Sequence, residues 1–549
     1  MKNTMLWVVW RLRKRLPLLG TMTLAHVGQA LFGVAFALGS RMVIDSAVSG
    51  DADAFRRACF VQGGIIAGLL ACQFFYRHLH ELLLARLDRD WKQGLLHDLL
   101  HSEFSSVSRF HSGELLNRMN NDVRILNRGL LDALPNVAAL LARLAAALTV
   151  LAALEPGFCL AICIAGLAVI VTTGFLRRNL KKLHRKVSEQ DGRVSGFLQE
   201  VLEKLLMVQA MDAAGEMERR AEGLLAERFD LQRRRKNLSV LSGCCMNILS
   251  QGASFAALIW CGGKLLLGRL SFGSLTAVIQ LVNQIQAPFM NLSAVIPQYI
   301  AMSAAAERLR ELTELEPEAA PSTQNREELY EKLTAIRAEN LCFSYDREVL
   351  MENVTLKLPK NSFTVITGTS GIGKSTLLKL LLGVCRPNSG QLYLDLSGGK
   401  IPVDRSVRRL FAYVPQGNLL LSGTLRENLI IANPDADDEE IQRAIYVSAM
   451  DEFLPQLPRG LDTLLGESGA GLSEGQAQRL AIARAILGGA PILLLDECTS
   501  ALDEQTERLV LTRIRELRDR TCIAVTHRPA ALELCDQQLE MQGKTLCKQ

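Results

Sequence analysis

The chain lacks the cysteine and histidine patterns of a metal site or a disulfide framework. Its 549 residues include 13 cysteines and 8 histidines, but no CxxC pair and no His-rich spacing typical of a metal site. Scattered cysteines such as Cys163, Cys244 and Cys245 stand in apolar runs, which is typical of buried thiols in a reducing compartment. We therefore expect neither a zinc site nor a disulfide-rich secreted fold.

A strong charge of either sign is also missing. The formal net charge is only +5, and the lysines and arginines cluster beside apolar runs, as positive charge next to a membrane does. They do not follow one groove, so we do not expect binding to nucleic acid.

The first residues, MKNTMLWVVWRLRKRLP, lack the order of a secretory signal. The basic cluster follows the first apolar residues, and no small-residue cleavage site comes after it. Trp7 and Trp10 beside Arg11 instead predict a short helix at a membrane interface. No peptidase domain with a paired cysteine and histidine is present either, so we do not expect cleavage of a leader peptide.

What the chain has is an apolar part followed by a more polar part. Hydrophobic residues make up 49% and charged residues 22%, which is too apolar for a typical soluble enzyme and too charged for membrane spans alone. The length predicts two or more domains. We predict a transmembrane domain over residues 1–312, a polar linker over residues 313–332 and a soluble domain over residues 333–549.

Six apolar runs are each long enough to cross a bilayer, which takes about 17–25 residues. The longer, basic links between them place both chain ends on the cytoplasmic side. Two of these links, near residues 77–130 and 177–239, are helix-forming and predict long arms, each with a break. The predicted spans are Leu16–Ile44, Cys59–Tyr76, Leu131–Leu154, Phe158–Leu176, Val240–Leu267 and Leu275–Ile296.

Polar residues inside spans are costly and mark a candidate substrate site. Four lie on one face of the sixth span, four lie on one face of the fifth (Asn247, Ser250, Gln251 and Ser254), and an arginine stands near the middle of the third. Amides also commonly join helices to each other, and the arginine suits an internal ion pair equally well, so both interpretations stay open. The candidates are Gln280, Asn283, Gln284, Asn291, Asn247, Gln251 and Arg143.

Short apolar strands alternate with helices in the soluble part, which predicts an α/β fold. The strand FTVIT leads into a loop and helix that match the G-x4-G-K-[ST] phosphate loop. Backbone N–H groups of such a loop hold phosphate oxygens at a helix N-terminus. Lys374 would reach the β- and γ-phosphates, and Ser375 would ligate Mg²⁺. The predicted nucleotide-binding residues are Gly368, Thr369, Ser370, Gly371, Ile372, Gly373, Lys374, Ser375 and Thr376.

A second buried strand, ILLLDE, ends in two carboxylates. Asp496 is placed to hold Mg²⁺ through water and Glu497 to polarise the attacking water, which divides two tasks of phosphoanhydride hydrolysis. His527 follows the strand TCIAV and is placed to contact the γ-phosphate. A lone histidine at a strand end is also commonly structural, so that interpretation stays open.

Together these features resemble those of ABC transporters, specifically exporter-type half-transporters, which fuse six spans to one ATPase domain. The resemblance covers nearly the whole chain. It includes HSGELLNRMNNDV and EVLEKLLMVQAMDAAGEMERR in the inside links, and YVPQ, GTLRENL, LSEGQ, LLLDE and SALD in the soluble part. It implies an all-α membrane domain of six helices, the type IV exporter fold, followed by an α/β P-loop ATPase domain.

The resemblance implies roles for further residues. Tyr345 would stack on adenine, Gln416 would link Mg²⁺ and the attacking water to the membrane arms, and Asp503 would communicate across a dimer. The breaks in the arms, near Ser102–Arg109 and Leu205–Asp212, look like the two coupling helices.

In this family the LSEGQ motif serves the ATP of another chain. Ser473, Gly475 and Gln476 would hold ATP bound to the partner subunit's phosphate loop, and Glu467 looks like part of the segment that contacts the partner's arms. One membrane half and one ATPase half imply a dimer, and the intact motifs allow a homodimer without excluding a heterodimer. Glu474 replaces the usual glycine. Its carboxylate either faces the γ-phosphate and weakens closure, or faces solvent or the arms and changes little.

The resemblance implies ATP-driven export of a polar or amphiphilic substrate, which is a peptide, a drug-like molecule or a lipid. The expected location is a bacterial inner membrane with the ATPase domain in the cytoplasm, in contact with membrane lipid, and the implied cofactors are ATP and Mg²⁺. Three alternatives remain: an importer on the same fold, for example for a metallophore, a soluble ABC ATPase, against which the spans argue, and a channel or regulator.

Overall fold

The computed structural model describes residues 2–318, 325–345, 348–417, 420–466, 471–517 and 519–548, without the side chains of residues 2–3, 167–181, 246, 287–297 and 548. The chain forms two compact units. The first comprises residues 1–96 and 112–314, and the second comprises residues 97–111 and 315–549.

Helices make up the first unit, and most of them are far longer than the average helix of a soluble protein. In chain order, the helices up to residue 314 are α1 (Lys2–Arg11), α2 (Leu16–Ser49), α3 (Ala52–Leu100), α4 (Phe104–Val107), α5 (Ser112–Asn117), α6 (Val123–Arg128), α7 (Leu134–Leu154), α8 (Pro156–Glu203), α9 (Leu205–Ala210), α10 (Ala214–Leu266) and α11 (Phe272–Thr313).

The predicted spans coincide with these helices. Four helical segments of the described residues are long and apolar enough to cross a membrane. They contain the first, second, third and fifth predicted spans. The fourth and sixth lie in α8 and α11, which include side chains outside the described set. The four segments are Leu16–Ser49, Ala52–Leu100, Ser112–Leu154 and Ala214–Leu266.

Two π-helical turns, Arg118–Asp122 and Gly129–Ala133, interrupt the helical stretch that leads into α7. Charges in the first turn are paired with α11. Asp122, which is 1% exposed, accepts hydrogen bonds from Nε and Nη2 of Arg308 at 2.8 and 2.6 Å. Arg118 donates to the backbone oxygen of Arg308 at 3.0 Å. An unpaired charge at this depth would be costly, so these contacts fix the π-helical turn against α11.

The two predicted breaks in the arms contain the short helices α4 and α9. Helix α9 carries exposed apolar side chains, including Leu206, which is 81% exposed, and Met207, which is 56% exposed. An exposed apolar helix of this kind suits contact with another protein surface.

The second unit alternates strands and helices from residue 325 onward. Its elements are α12 (Arg326–Lys332), β1 (Leu333–Tyr345), β2 (Glu348–Pro359), β3 (Phe363–Gly368), α13 (Lys374–Leu381), β4 (Ser389–Leu396), β5 (Gly399–Pro402), β6 (Phe411–Val414), β7 (Gly423–Thr424), α14 (Leu425–Ile430), α15 (Asp438–Val447), β8 (Leu464–Leu465), α16 (Glu474–Leu487), β9 (Ile492–Asp496), α17 (Glu504–Arg515), β10 (Thr521–Val525), α18 (Pro529–Leu534), β11 (Gln537–Gln542) and β12 (Thr545–Lys548).

The main sheet has six strands in the order β12-β11-β3-β10-β9-β6. All neighbouring pairs from β11 to β6 are parallel, and β12 is antiparallel to β11. Because parallel strands end at the same edge, the loops that follow β3, β6, β9 and β10 converge there. A separate antiparallel sheet has the order β2-β1-β4-β5.

Alternate side chains of the central strands enter two cores, one on each face of the main sheet. Val365, Leu493 and Leu495 belong to the core that includes α14 to α17. Ile366 and Leu494 belong to the core that includes α13 and the antiparallel sheet. Burial on both faces explains why β9 is a continuous apolar run rather than an alternating one.

Helix α4 and the start of the predicted linker are joined within the second unit. The backbone N–H of Glu103, just before α4, donates to the oxygen of Glu316 at 2.9 Å, and the N–H of Glu318 donates to the oxygen of His101 at 2.8 Å. The carboxylate of Glu318 forms an ion pair with Arg408. The linker therefore ties the segment around α4 to the α/β fold of the second unit.

Candidate nucleotide site

The phosphate loop connects β3 to α13. Three of its glycines have positive φ angles, 141° at Gly368, 81° at Gly371 and 110° at Gly373, which residues with a Cβ rarely adopt. A Cβ at Gly368 would lie 2.6 Å from the backbone oxygen of Met541, so this position requires glycine. In the rest of the loop, Thr369 and Ser370 are exposed, Ile372 and Ser375 are half-buried, and Thr376 is buried.

Lys374 lies inside this loop and is 5% exposed. Its Nζ donates to the backbone oxygens of Gly368 at 2.5 Å and Thr369 at 3.0 Å, and it lies 3.1 Å from Nε2 of His527. No carboxylate of the described residues pairs with it. A buried ammonium without a counter-charge suits a phosphate ligand, and the structure brings the two predicted residues Lys374 and His527 together around that position.

Asp496 ends β9 and is 1% exposed. Its Oδ1 accepts a hydrogen bond from Oγ of Ser375 at 3.0 Å, and its Oδ2 accepts one from the hydroxyl of Tyr413 at 3.1 Å. Burial raises the pKa of Asp496 and the nearby Glu497 adds to the rise, while the two hydroxyl groups oppose it. Carboxylate and hydroxyl oxygens are hard ligands of the kind that Mg²⁺ prefers.

Glu497 has a φ angle of 45°, which is uncommon for a residue with a Cβ. Its backbone N–H donates to the oxygen of Val525 at 2.9 Å, and its carboxylate accepts a hydrogen bond from Nε2 of Gln416 at 2.6 Å. Within the described part of the site, Gln416 forms no hydrogen bond to Ser375 or Asp496. Gln416 is therefore bonded to the predicted base, and its predicted contact with Mg²⁺ stays a prediction.

Tyr345 ends β1 and is 41% exposed. Its ring lies edge-to-face against Phe343 with 4.8 Å between ring centres. Its hydroxyl lies 3.8 Å from Sγ of Cys385. Burial of that hydroxyl raises the pKa of Tyr345 to about 12, and Cys385 adds to the rise. The ring is held at one edge, and its exposed part is available for stacking on a base.

Ser473 caps the N-terminus of α16 in a reciprocal capping box with Gln476. Oγ of Ser473 accepts from the backbone N–H of Gln476 at 3.3 Å, and the side chain of Gln476 accepts from the N–H of Ser473 at 3.0 Å. The hydroxyl hydrogen of Ser473 is left to donate to an anion. Glu474 is exposed and pairs with no basic residue of the described set.

The start of α16 packs against the SALD segment. A Cβ at Gly475 would lie 3.0 Å from the backbone oxygen of Ala501, so glycine permits this close approach. The buried Gln478 donates to Oγ of Ser500 at 3.0 Å and accepts from the N–H of Ala501 at 3.1 Å. The two motifs therefore form one surface.

Asp503 caps α17 by accepting the backbone N–H of Thr506 at 3.0 Å. This hydrogen bond is the main reason that the pKa of Asp503 is lowered. An ionised carboxylate therefore lies at the edge of the SALD segment.

Sequence reasoning assigned no role to Tyr413 or Gln478. The available signal for Tyr413 was its place near the end of the strand that leads to Gln416. The signal for Gln478 was a polar residue on an otherwise apolar helix face. Glu467 lies outside the described residues.

The candidate substrate residues divide into two groups. Oδ1 of Asn283 accepts from Oγ of Ser254 at 3.0 Å, and Nε2 of Gln284 donates to the backbone oxygen of Gly33 at 2.6 Å. These contacts join α11 to α10 and α2, as amides between membrane helices commonly do. The side chain of Asn291 is outside the described set. The candidates that form no hydrogen bond or ion pair with a described residue are Arg143, Asn247, Gln251 and Gln280.

A phosphate loop followed by a helix that begins in the LSEGQ signature motif (residues 472–476) and packs on the SALD segment (residues 500–503) defines the ATPase domain of ABC proteins. In this chain that domain is fused to a helical membrane domain. The family models agree with this class. Residues 19–289 match the ABC transporter transmembrane region, and residues 351–500 match the ABC transporter model. The chain belongs to the ABC transporter family and is a multi-pass membrane protein.

Several transporters are similar in sequence. The chain is 30% identical over 73% of its length to a mycobactin import ATP-binding/permease protein of Mycolicibacterium smegmatis, of which 69% is covered. It is 30% identical over 64% of its length to an ATP-dependent lipid A-core flippase of Desulfotalea psychrophila, of which 62% is covered. It is 30% identical over 69% of its length to a leukotoxin translocation ATP-binding protein of Mannheimia glucosida, of which 53% is covered. The chain thus spans less than two thirds of the last two relatives.

A solved structure shares the fold. It is that of a bacterial Atm1-family ABC exporter with ATP bound, with a TM-score of 0.79, 24% sequence identity, and coverage of 98% of this chain and 94% of that chain. The predicted exporter fold, a helical membrane domain followed by an α/β ATPase domain, is confirmed.

Proposed function

We propose that the protein is a half-transporter that couples ATP hydrolysis to the export of a polar or amphiphilic substrate, and that two copies share two ATP sites. The observation that carries this proposal is the separation of two anion-binding elements in one chain. Lys374 is buried in its own phosphate loop, whereas the hydroxyl of the exposed Ser473 is bonded, among the described residues, only to Gln476. A donor at a helix start that meets no phosphate loop of its own chain suits a site completed by a partner.

The hydrolytic roles follow from the contacts at the edge of the main sheet. Loop N–H groups and Lys374 hold the phosphates, and His527 beside Lys374 contacts the γ-phosphate. Glu497 accepts a proton from the attacking water, and Gln416, which is hydrogen-bonded to it, orients that carboxylate. Tyr345 stacks on the adenine.

Ser375 and Asp496 would hold Mg²⁺. Their oxygens are 3.0 Å apart, and a cation would offset the cost of an ionised carboxylate at this depth. Tyr413 fixes the second oxygen of Asp496. Bound Mg²⁺ neutralises charge on the phosphate oxygens.

Dimer formation explains the surface made by the signature and SALD segments. Ser473 and Gly475 of one subunit would meet ATP on the other, and Asp503 would act across the interface. ATP that binds the closed dimer more tightly than the open one shifts the equilibrium toward closure. All motifs of both half-sites are present in this chain, which favours a homodimer. A heterodimer would appear as an inactive, monomeric chain when the protein is produced alone.

Transport by alternating access places the substrate between the membrane helices. Arg143, Gln280, Asn247 and Gln251 are candidate contacts because they are not bonded to described neighbours, whereas Asn283 and Gln284 join helices. An arginine near mid-span favours a substrate with an anionic group. The basic arms favour an orientation in which the ATPase domain lies on the cytoplasmic side of a bacterial inner membrane. Helices α4 and α9 would then transmit closure to the membrane helices.

Import is the second candidate direction, because one of the similar proteins is a mycobactin importer. The two directions differ in where substrate accumulates. Inside-out vesicles expose the ATPase side to the medium, so an exporter fills them when ATP is added and an importer empties them. Vesicles that carry Glu497→Gln serve as the control without turnover.

Stimulation of ATPase activity can identify the substrate. The purified protein in lipid nanodiscs is screened with lipids, peptides and drug-like molecules, and a true substrate raises the rate. Arg143→Gln should abolish stimulation by an anionic hit and leave the basal rate unchanged. Stimulation that persists in that variant would remove Arg143 from the substrate site.

A further inference from the structure

A group of polar side chains lies inside the membrane domain, where α2, α3 and α7 meet. His26 is on α2, and its Nε2 lies 2.9 Å from Oδ1 of Asn136 on α7. The ring of Tyr76 on α3 stacks on the imidazole with 4.2 Å between ring centres. Ionisable side chains inside membrane helices are costly, and they commonly mark the path of an ion or a substrate. His26 is therefore a candidate functional residue.

The two ring nitrogens of His26 have different surroundings. An amide oxygen only accepts hydrogen bonds, so Nε2 carries the hydrogen that Oδ1 of Asn136 accepts. Nδ1 is buried and has no hydrogen-bond partner among the described residues. Gln29 lies close to the ring, but no hydrogen bond from it reaches Nδ1. In this tautomer Nδ1 is the atom at which the imidazole takes up a proton.

Arg143 is a second cationic group close to His26, and its positive charge acts on the imidazole. It lies near the middle of α7, one turn after the buried Ala139 and one turn before the buried Ala147. This face of α7 packs against neighbouring helices, which include α2 and α11. Arg143 is half-buried and forms no hydrogen bond or ion pair with a described residue. Two cationic groups repel each other where water is partly excluded, and an anion between them would remove that repulsion.

No free carboxylate in the surrounding helices supplies that anion. Asp132 lies about three turns before Arg143, and its Oδ1 is paired with Nε2 of His80 at 2.9 Å. Residues 16–40 of α2 hold no titratable side chain besides His26, and residues 272–298 of α11 hold none. The titratable and charged groups that face His26 from α3 and α7 are Cys72, Tyr76, His80, Asp132 and Arg143.

We propose that Arg143 and His26 together bind the anionic group of the transported substrate, and that His26 takes up a proton from water when the anion binds. The imidazolium then donates from Nδ1 to an oxygen of the anion, beside the guanidinium group. The substrate class is an amphiphilic anion with a carboxylate, sulfate or phosphate group. This inference rests on the transport function proposed above, because it places the anion in the transport pathway.

The test uses octanesulfonate as the probe, because a sulfonate stays ionised at every pH used. Calorimetry measures its binding to the full chain in nanodiscs of zwitterionic lipid without nucleotide, and empty nanodiscs correct for partition into lipid. Because an imidazole ordinarily titrates near pH 6.5, the complex gains a proton that the free protein lacks at higher pH. We therefore expect about tenfold tighter binding near pH 6 than near pH 8. Two buffers of different ionisation enthalpy should report about one proton taken up per anion near pH 8.

His26→Gln keeps an amide that can bond to Asn136 but cannot be protonated. This variant should bind the probe equally at both pH values and take up no proton. Arg143→Gln should weaken binding about tenfold or more, as for the loss of a charge-assisted hydrogen bond. Arg143→Lys keeps the charge and should bind with intermediate affinity and the parent's pH dependence. The matched control is His78→Gln, which replaces an exposed histidine stacked on Phe74 and should change neither property.

Three results would overturn the proposal: no binding at millimolar probe, equal affinity of the parent at both pH values, or a pH dependence that persists in His26→Gln. Omitting nucleotide separates this test from that of the transport function. Binding with proton uptake by a protein that does not transport would contradict the transport function alone. ATP-driven transport by a protein without these binding properties would contradict the anion site alone.

A repeat in nanodiscs of anionic lipid distinguishes two sources of the anion. If the lipid competes with octanesulfonate and Arg143→Gln removes that competition, the anionic group belongs to a lipid headgroup. If the affinity for octanesulfonate is unchanged, the anion comes from the aqueous phase.

Discussion

Gln416 donates a hydrogen bond from its side-chain amide to the carboxylate of Glu497 at 2.6 Å. The two residues follow different strands, β6 and β9, which are parallel neighbours. A movement of the loop after β6 would therefore change the orientation of the proposed base. In the proposed transport cycle, such a movement would change the rate of hydrolysis.

Replacing Glu497 with glutamine tests the proposed base. Glu497→Gln should retain ATP binding while turnover falls about 10²–10⁴-fold, the range for a general acid or base. Equilibrium binding of labelled ATP and steady-state phosphate release measure the two effects. Glu516→Gln, on the exposed surface after α17, is the matched control. Hydrolysis at the parent rate would remove Glu497 from this role.

Replacing Asp496 with asparagine tests the buried carboxylate. Because its folded-state pKa is raised by burial, ionised Asp496 destabilises the folded chain above its unfolded pKa, and this cost disappears as the pH falls. Asp496→Asn should therefore match or exceed the parent melting temperature at neutral pH without ligand. It should also lose the extra stabilisation that Mg²⁺ gives to the ATP-bound protein. A large fall in the ligand-free melting temperature would contradict this account.

Replacing Glu474 with glycine tests its orientation. The side chain is exposed and pairs with no described residue, and the donors of the motif are Ser473 and Gly475. Glu474→Gly should therefore leave the maximal ATPase rate within about fivefold, since an exposed carboxylate in a first helical turn contributes only about 0.3–1 kcal/mol. A large increase in rate would show that Glu474 opposes dimer closure.

Replacing Glu318 with glutamine tests the link between the linker and α4. The carboxylate lies between Arg405 and Arg408, and its loss should speed hydrogen exchange at the amides of Glu103 and Glu318 about tenfold or more, as for a charge-assisted hydrogen bond. Mass spectrometry of exchange measures this directly. Glu314→Gln, in an exposed pair with Arg310, should change neither amide. Unchanged protection in Glu318→Gln would show that the backbone contacts hold the segment alone.

The local motifs of the nucleotide site could be predicted because their geometry is set within a few residues. The phosphate loop needs glycine at Gly368, and Ser473 and Gln476 form a capping box three residues apart. The spans could also be predicted, since apolar length alone marks them. The helices continue past those spans because the polar arm sequences are themselves helix-forming, as in α8 and α10.

Contacts between distant elements could not be predicted. The bond from Gln416 to Glu497 and that from Tyr413 to Asp496 depend on which strands become neighbours and how side chains point from them. The amides of the membrane domain show the same limit. Asn283 and Gln280 stand three residues apart, yet only Asn283 is bonded to a described residue of α10. Helical periodicity identifies a face but does not choose between a neighbouring helix and a ligand.

The central claim is that each ATP site combines the phosphate loop of one subunit with the signature of the other. Dimers of two differently tagged chains test it. In the split arrangement one chain carries Lys374→Ala and its partner carries Gly475→Asp. In the combined arrangement one chain carries both changes and its partner carries neither.

Vanadate trapping of labelled nucleotide in these dimers is the most direct measurement. Shared sites leave one intact site in the split dimer and none in the combined dimer, so only the split dimer should trap nucleotide. Trapping in the combined dimer, with none in the split dimer, would mean that each chain completes its own site and would contradict the account.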